Sequence, residues 1–288
     1  MKSFNDIKEA LKASTKRKIA VACAQDADVL CAVENARKLG IADAILVGNA
    51  DEIKDIAGKK GIDISNYSIK DVKNKNEAAK EAVRLVSSGQ ANTLMKGIID
   101  TADFLRAVLN KEVGLRTGRT ITHVSVFEEP HSNRLMLLTD VAMVVDPDLK
   151  AKVDIILNAA EVARKIGIEQ PKVAALAAVD AAALSKMSDR GQLKDIVVDG
   201  PLALDNAVSV EAAKHKGIVS PVAGNADILL VPDIEAGNIM YKTLTYFAGY
   251  MLSGIIMGAK APIILTSRSD SDETKLNSIA LATLVSSK

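Results

Sequence analysis

The chain of 288 residues is long enough for two compact domains, since a domain usually takes roughly 100 to 200 residues. Its 37 lysines and arginines balance 36 aspartates and glutamates, so it lacks the basic excess that nucleic-acid-binding and membrane-surface proteins carry. Aromatic residues make up only 3% of the chain and Trp is absent, which disfavours a surface that stacks on bases.

The first segment, MKSFNDIKEALKASTKRK, has the pattern of a charged amphipathic helix and lacks the apolar stretch of a signal peptide. No uninterrupted apolar run reaches the ~18 residues that a membrane span needs. We therefore predict a cytoplasmic protein that has neither membrane nor nucleic-acid partners.

The following segments alternate between short apolar runs and helical patterns. KIAVACA at 18–24 precedes a helical DADVLCAVENARKLG, and ADAILVG at 42–48 precedes NADEIKDIAGKKG. Continuous apolar runs followed by amphipathic helices are typical of parallel βα units, so the predicted fold class is α/β. Further apolar runs lie at 93–97, 121–127, 134–140, 172–179, 195–200, 227–233 and 261–267. Without a Pro/Gly linker, composition alone does not place the domain boundary.

Polar or glycine residues end most of these runs. In open α/β sheets ligands bind beyond the carboxyl ends of the strands, so the functional site is expected among these end residues. They are Lys96, Gly97, Asp140, Asp199, Gly200, Asp233, Ser267 and Arg268.

The segment LMKGIIDTADFLRAVL, 94–109, places Lys96 and Gly97 at a strand end, Thr101 near the next helix start and Arg106 on that helix. Gly97 would let a ligand approach the backbone, and Lys96 with helix N–H groups would favour phosphate. An ordinary loop with two solvated cations is an equally good interpretation. The chain has neither GxxxxGK[ST] nor GxGxxG, which disfavours nucleotide hydrolysis and a standard dinucleotide site.

The segment ADILLVPDIEAGNIMYKTL, 226–244, predicts a buried strand that runs into Asp233. EAGN then predicts a turn in which Gly237 takes positive φ and Asn238 caps a helix that begins at Ile239. Asp233, Gly237 and Asn238 are candidate ligand contacts. Alternatively, Asp233 is only a structural hydrogen-bond acceptor.

The cysteines and histidines form no metal or catalytic pattern. Cys23 and Cys31 lie eight residues apart without CxxC spacing, so we expect reduced, partly buried thiols. His123, His131 and His215 are scattered, and ordinary surface or core positions are expected for them. No metal site is predicted.

The last strand and helix, APIILTSRSDSDETKL at 261–276, allow two interpretations. Asp270, Ser271 and Glu273 can cap and charge the start of the final helix. Alternatively, the strand end, Arg268 and the helix N-terminus together form an anion site.

These three segments together resemble the phosphate acetyl/butyryltransferase family, and SRSDSDETKL is most similar to its phosphate butyryltransferase branch. The resemblance covers nearly the whole chain. It implies reversible transfer of an acyl group between coenzyme A and inorganic phosphate, with coenzyme A as a substrate and no tightly bound cofactor. It also implies a homodimer or larger homo-oligomer.

The resemblance further implies two three-layer α/β domains with the active site in the cleft, similar to isocitrate and isopropylmalate dehydrogenases. In that arrangement the first domain takes residues 1–120 and 261–288, and the second takes 121–260.

The family's Ser-Arg pair corresponds to Ser267 and Arg268. The resemblance implies that Arg268 binds phosphate as a fixed two-pronged cation and that Ser267 donates to the developing oxyanion. The family's arginine after TxxxxR corresponds to Arg106. With Lys96 it would add positive charge around phosphate or the coenzyme A pyrophosphate.

One position departs from the family. Acetyl-transferring relatives have an acidic residue, thought to deprotonate the coenzyme A thiol, where this chain has Thr274. Asp270, Asp272 and Glu273 lie nearby, and a ~100° turn per helix residue prevents all of them from facing one site. Asp272 and Glu273 are the candidate catalytic carboxylates. Because a thiol of pKa about 8.5 needs only modest help, a hydrogen-bonded carboxylate or a thiol pKa lowered in a cationic site would each suffice.

We expect direct transfer in a ternary complex, since neither Ser267 nor the cysteines have a base partner evident in the sequence. Two alternatives stay open. An NAD-linked dehydrogenase on the same fold would use strand-end aspartates, and a non-catalytic coenzyme A or acyl-phosphate sensor would account for Thr274. The preferred acyl chain cannot be read from the sequence, because one methylene is worth only ~1 to 3 kcal/mol.

Overall fold

A computed structural model describes residues 1–130, 132–177, 179–267 and 270–287, and it confirms the α/β class. The strands are β1 (Arg17–Ala22), β2 (Ala42–Gly48), β3 (Ser68–Asp71), β4 (Thr93–Lys96), β5 (Thr122–Glu129), β6 (Arg134–Thr139), β7 (Lys172–Leu176), β8 (Val197–Leu202), β9 (Ile228–Leu230), β10 (Leu252–Met257) and β11 (Ile263–Ile264). In the described parts of the chain no helix has the length and apolar character to cross a membrane.

The helices are α1 (Phe4–Lys12), α2 (Ala27–Lys38), α3 (Ala50–Lys59), α4 (Lys75–Ser87), α5 (Thr101–Val108), α6 (Leu149–Lys165), α7 (Asp180–Asp189), α8 (Leu204–Val208), α9 (Val210–His215), α10 (Ile234–Tyr246) and α11 (Asp272–Val285). A short 3₁₀ helix occupies Ile64–Asn66.

Contacts divide the chain into two units. The terminal unit consists of Phe4–Arg119 and Ser253–Lys288, and the central unit consists of Met1–Ser3 and Thr120–Leu252. The division into one α/β domain of residues 1–120 and 261–288 and another of 121–260 stays a prediction.

The sheet of the terminal unit has the strand order β3-β2-β1-β4-β11-β10. The first five strands are parallel, and β10 runs antiparallel to β11. Helices α1, α2 and α11 pack together, and α4 packs on β1 and on α5. Because helices cover this parallel sheet, its inner strands are nearly continuous apolar runs, and Val21, Leu46 and Leu94 are fully buried.

The direction of the chain through this sheet reverses at β1. The connections from β1 to β2 and β3 move one way, and the connection through α4 returns past β1 to β4. Because parallel crossovers are right-handed, such a reversal places helices on opposite faces and opens a crevice between the loops. The carboxyl ends of β1 and β4 therefore flank the preferred ligand position of this unit.

The central unit has the strand order β5-β6-β9-β7-β8. Strands β6, β9, β7 and β8 are parallel, whereas β5 and β6 form an antiparallel pair, which departs from the expected parallel βα pattern. Helix α6 packs on β5, β6 and β9. An apolar core lies around Leu138, Leu176, Leu229 and Tyr241.

Candidate functional site

The carboxyl ends of β1, β4 and β11 lie side by side in the terminal unit. Ala22 pairs with Lys96, and Met95 pairs with Ile264, so the strands end at one edge of the sheet. Lys96, Gly97 and Ser267, which were predicted from the sequence, lie at the ends of these strands or just after them. The structure therefore brings the two quoted segments at 94–109 and 261–276 to neighbouring strands.

Gly97 is needed for the packing of two strand ends. Its N–H donates to the Ala22 carbonyl at 2.8 Å, and the next N–H, of Ile98, donates to the Cys23 carbonyl at 2.9 Å. A Cβ atom on Gly97 would lie 2.2 Å from the Cys23 carbonyl oxygen. The close approach predicted from the sequence is thus made by the chain's own backbone after β1.

Two lysines surround the Cys23 thiol at this edge. The thiol lies 3.4 Å from the carbonyl oxygen of Lys75, and it is buried while Lys96 is half-buried. Burial raises the pKa of Cys23 to about 11, against the opposing charges of Lys75 and Lys96. The thiol is therefore neutral near pH 7, and the two ammonium groups supply positive charge. Lys75 was not singled out from the sequence, although the lysines of KNKN at the start of α4 could have indicated a positive charge there.

Helix α5 carries Thr101 and Arg106 on its exposed surface. Thr101 is the first helical residue, and the Arg106 guanidinium forms an ion pair with Asp103 one turn earlier. A cavity of about 290 Å³ lies beside the start of this helix. It is lined by Asn74, Lys75, Asn76, Ile98, Ile99, Asp100 and Asp103.

Ser267 is hydrogen-bonded to Asp270 in the segment after β11. Its N–H donates to the Asp270 carboxylate at 2.7 Å, and the Asp270 N–H donates back to the Ser267 carbonyl at 3.1 Å. Ser267 is exposed and follows β11, which ends at Ile264. Arg268 lies outside the described residues, so its expected phosphate contact stays a prediction.

The start of α11 confirms the predicted cap. The Ser271 hydroxyl accepts from the Thr274 N–H at 3.1 Å, and the two hydroxyls lie 3.0 Å apart. Asp272 and Glu273 occupy the exposed first turn, where carboxylates complement the helix dipole. Glu273 also lies 3.9 Å from the Lys8 ammonium of α1.

A buried lysine on α11 was not singled out from the sequence. Lys275 is 3% exposed, and its ammonium lies 3.3 Å from an Asp28 carboxylate oxygen on α2. The two residues are far apart in the chain, so no local spacing could have paired them.

The structure corrects the predicted turn after β9. Helix α10 begins at Ile234 rather than at Ile239, and Asp233 is its cap, accepting from the Ala236 N–H at 2.8 Å. Gly237 is therefore helical instead of adopting positive φ, and Asn238 caps nothing. Because Asp233 caps the helix, the helix starts before EAGN. The glycine and asparagine of EAGN had suggested a turn at that position instead.

Gly237 and Asn238 instead contact the chain after β6. A Cβ atom on Gly237 would lie 2.4 Å from the Asp140 carbonyl oxygen. The Asn238 side-chain amide lies 3.4 Å from the Val141 carbonyl. These residues join α10 to the end of β6 in the central unit.

Asp140 is an internal anchor of the same loop. Its carboxylate is buried and accepts from the N–H groups of His123, Ala142 and Met143 at 2.8 to 2.9 Å. Burial raises its pKa above the ordinary range, although these hydrogen bonds oppose the shift. Its role in the described contacts is to hold the backbone.

Among the residues that the structure describes, no group of three or more His, Cys, Asp or Glu side chains could hold a metal ion. Both cysteines are free thiols.

Comparison with known proteins gives a family match. The family model described as "Phosphate acetyl/butaryl transferase" matches residues 3–84 and 74–283. The chain is 57% identical to a phosphate butyryltransferase of Clostridium acetobutylicum, covering 99% of this chain and 98% of the relative. It is 46% identical to a phosphate acetyltransferase of Thermotoga maritima, covering 92% and 94%.

Solved structures give the same likeness. A branched-chain phosphotransacylase from Enterococcus faecalis superposes with a TM-score of 0.82 at 35% identity, covering 94% of this chain and 99% of that one. A 4-hydroxythreonine-4-phosphate dehydrogenase from Klebsiella pneumoniae superposes with a TM-score of 0.55 at 12% identity, covering 95% and 100%. The second likeness shows a shared fold alone.

Proposed function

The chain belongs to the phosphate acetyl/butyryl transferase family, and we propose that it transfers a short-chain acyl group, butyryl or similar, reversibly between coenzyme A and inorganic phosphate. The products are an acyl phosphate and free coenzyme A. The observation that carries this proposal is the 57% identity, over nearly the full length of both chains, to a relative named phosphate butyryltransferase.

The terminal unit supports binding of a phosphate group at the edge where β1, β4 and β11 end. Lys96 brings a cation to this edge, and Lys75 lies beside it, close to the Cys23 thiol. Arg268 follows directly after Ser267 and would add a planar, two-pronged partner for phosphate. Arg106 and Thr101 on α5 are proposed contacts of phosphate or the coenzyme A pyrophosphate. In the central unit Asp233, Gly237 and Asn238 remain proposed substrate contacts through the N-terminal turn of α10.

The reaction proceeds by direct attack. The coenzyme A sulfur attacks the carbonyl carbon of the acyl phosphate, and phosphate leaves toward Lys96 and Arg268. Ser267, exposed after β11, donates to the carbonyl oxygen as negative charge develops. Holding both substrates together supplies the entropic part of the acceleration.

A covalent acyl-cysteine is disfavoured by the environment of Cys23. That thiol is fully buried, and its pKa is raised to about 11, so the reactive thiolate is scarce near pH 7.

Neither alternative gains support. The likeness to 4-hydroxythreonine-4-phosphate dehydrogenases, at 12 to 13% identity, concerns the fold alone. A non-catalytic sensor would rest on Thr274, whereas relatives named as transferases share 46 to 57% of their residues with this chain.

We further propose a cytoplasmic homodimer or larger homo-oligomer. The central unit supports this with large apolar side chains exposed on and after α10, at Ile239, Tyr246 and Phe247. Monomeric proteins seldom expose such neighbouring apolar groups without a binding role.

The function is tested by phosphate-dependent release of thiol from acetyl-, butyryl- and isobutyryl-coenzyme A. We expect release from the short-chain substrates, with the fastest substrate defining the acyl preference. Arg268→Ala should raise the KM for phosphate at least tenfold, because a charge-assisted pair is worth about 1.5 to 3 kcal/mol. Release that is independent of phosphate would contradict the assignment. The exposed pair Lys59–Asp55 on α3 offers Lys59→Ala as a control for lost surface charge.

A further inference from the structure

The first turns of α2 and α11 are joined by the pair Asp28–Lys275, to which the proposed reaction assigns no role. The Lys275 side chain is 4% exposed, whereas that of Asp28 is 60% exposed. Asp28 is the one partner of the Lys275 ammonium among the described residues. The pair thus has a fixed cation inside the protein and a carboxylate open to solvent.

The pair lies at the proposed site's edge of the terminal sheet. Helix α2 follows β1 and α11 follows β11, so both helices begin where the strands that flank β4 end. Helical side chains tilt toward the N-terminus of their helix, which directs Asp28 and Lys275 back toward that edge. Lys96 is the last residue of β4 and Ser267 follows β11, so both lie near the same edge.

The charged groups on the elements that pack here have other contacts or positions. Asp26 caps α2 by accepting from the Val29 N–H at 3.0 Å. Asp270 accepts from the Ser267 N–H, and Glu273 lies near Lys8 of α1. Asp272 is exposed directly after the cap of α11. Asp28 differs from these because a buried ammonium holds its carboxylate.

We propose that Asp28 is the general base for the coenzyme A thiol and that Lys275 is a positioning residue, an inference that rests on the proposed function. The S–H proton moves to the Asp28 carboxylate, and the sulfur forms the new C–S bond. The C–O bond to phosphate breaks, and phosphate leaves with its electron pair. In the reverse direction Asp28 returns the proton to the departing thiolate. Lys275, whose ammonium lies 3.3 Å from the Asp28 carboxylate, limits the rotation of that carboxylate.

Deprotonation of a thiol is within the rate contribution that a carboxylate base can make. An alkyl thiol is mostly protonated at pH 7, as a free cysteine with a pKa of about 8.5 shows, so a positioned base assists by taking the proton during the attack. Positioned bases typically contribute about 10² to 10⁴ in rate. A carboxylate at position 28 could therefore serve where position 274 carries a threonine.

The test compares Asp28→Asn with the wild type in the direction that consumes coenzyme A and butyryl phosphate. We expect kcat to fall about 100-fold or more while the KM for coenzyme A stays within about threefold. The rate of the variant should rise about tenfold per pH unit at every pH below the pKa of the coenzyme A thiol, because solution must then supply the thiolate. Asp28→Glu should restore part of the activity, and Lys275→Met should lower kcat without abolishing it.

Asp43→Asn is the matched control. Asp43 lies 3.8 Å from Lys16 near the amino ends of β1 and β2, the opposite edge of the same sheet. It should leave kcat and the pH profile unchanged. Thermal melting of each variant separates lost folding from lost chemistry.

The assignment is overturned if Asp28→Asn keeps kcat within about threefold of the wild type. It is also overturned if activity falls only in step with the folded fraction and the pH profile is unchanged. A wild type that releases no thiol would overturn the proposed function itself, which distinguishes the two failures.

Discussion

At the scale of single residues, two lysines at the same sheet edge have different surroundings. Lys96 is half-buried beside a neutral thiol, whereas Lys275 is buried and faced by a carboxylate. A half-buried lysine at a strand end can still reach an anionic ligand, whereas a buried lysine paired with a carboxylate fixes that carboxylate. The two lysines therefore suit different tasks, phosphate binding for Lys96 and positioning for Lys275.

His123 gives a prediction about the pH dependence of stability. Burial lowers the pKa of its imidazole from 6.5 to about 4, and its buried Nδ1 atom has no hydrogen-bond partner among the residues that the structure describes. Between about pH 4 and 6.5, the unfolded chain therefore binds a proton at His123 that the folded chain does not bind. The free energy of unfolding should fall by up to roughly 3 kcal/mol as the pH drops from 6.5 to 4.

Urea unfolding across this pH range checks the prediction, with His123→Gln as the comparison. The variant should lose part of the decrease, because Gln does not titrate. An identical pH dependence in both proteins would show that His123 does not cause it.

At the scale of helices and strands, close backbone packing explains two glycines that the sequence suggested for other reasons. Gly97 allows the end of β4 to contact the end of β1, and Gly237 allows α10 to contact the chain after β6. Both were predicted as positions near a ligand. The nearest atom to an added Cβ is a backbone carbonyl oxygen at both positions, that of Cys23 for Gly97 and that of Asp140 for Gly237.

Gly237→Ala should lower the free energy of unfolding by about 1 to 3 kcal/mol, because its Cβ would lie 2.4 Å from the Asp140 carbonyl oxygen. Gly58→Ala in α3 is the matched control, since nothing lies within 4 Å of its added Cβ. The control should be neutral or stabilising by about 0.5 to 1 kcal/mol. Chemical denaturation measures both, and equal effects would refute the packing explanation.

The elements that sequence patterns predicted are those whose burial makes them continuously apolar. Strands such as β2 and β6 appear where such runs predicted them, whereas β3, an exposed edge strand with the sequence SIKD, has no apolar run to identify it. Strand β10 is buried but was not singled out. The strand order depends on contacts that local spacing does not encode. The cap of α10 is a local contact, from the Ala236 N–H to Asp233, that the glycine in EAGN obscured.

The same limit applies to the site. Lys96 and Ser267 could be predicted because each follows a recognisable strand, and parallel strands end at one edge. The Asp28–Lys275 pair joins residues at opposite ends of the chain, so only the fold brings them together.

At the scale of the whole molecule, exposed apolar side chains on the central unit bear on the proposed assembly. Phe247 is 89% exposed at the end of α10. Phe247→Glu should convert an oligomer into smaller species whose subunits stay folded. Burying a charge in an apolar interface has a large free-energy cost. Light scattering after gel filtration measures this, and Leu109→Glu on the terminal unit is the control. A monomeric wild type would contradict the proposed oligomer.

The proposed reaction transfers the acyl group to phosphate and not to water. Phosphorus NMR of a mixture of butyryl-coenzyme A and inorganic phosphate, with free thiol measured in parallel, follows both products at once. We predict that an acyl phosphate signal grows in equal amount to the released thiol and that the same equilibrium is reached from the opposite side. Release of thiol without acyl phosphate would indicate hydrolysis, and that result would contradict a phosphate acyltransferase.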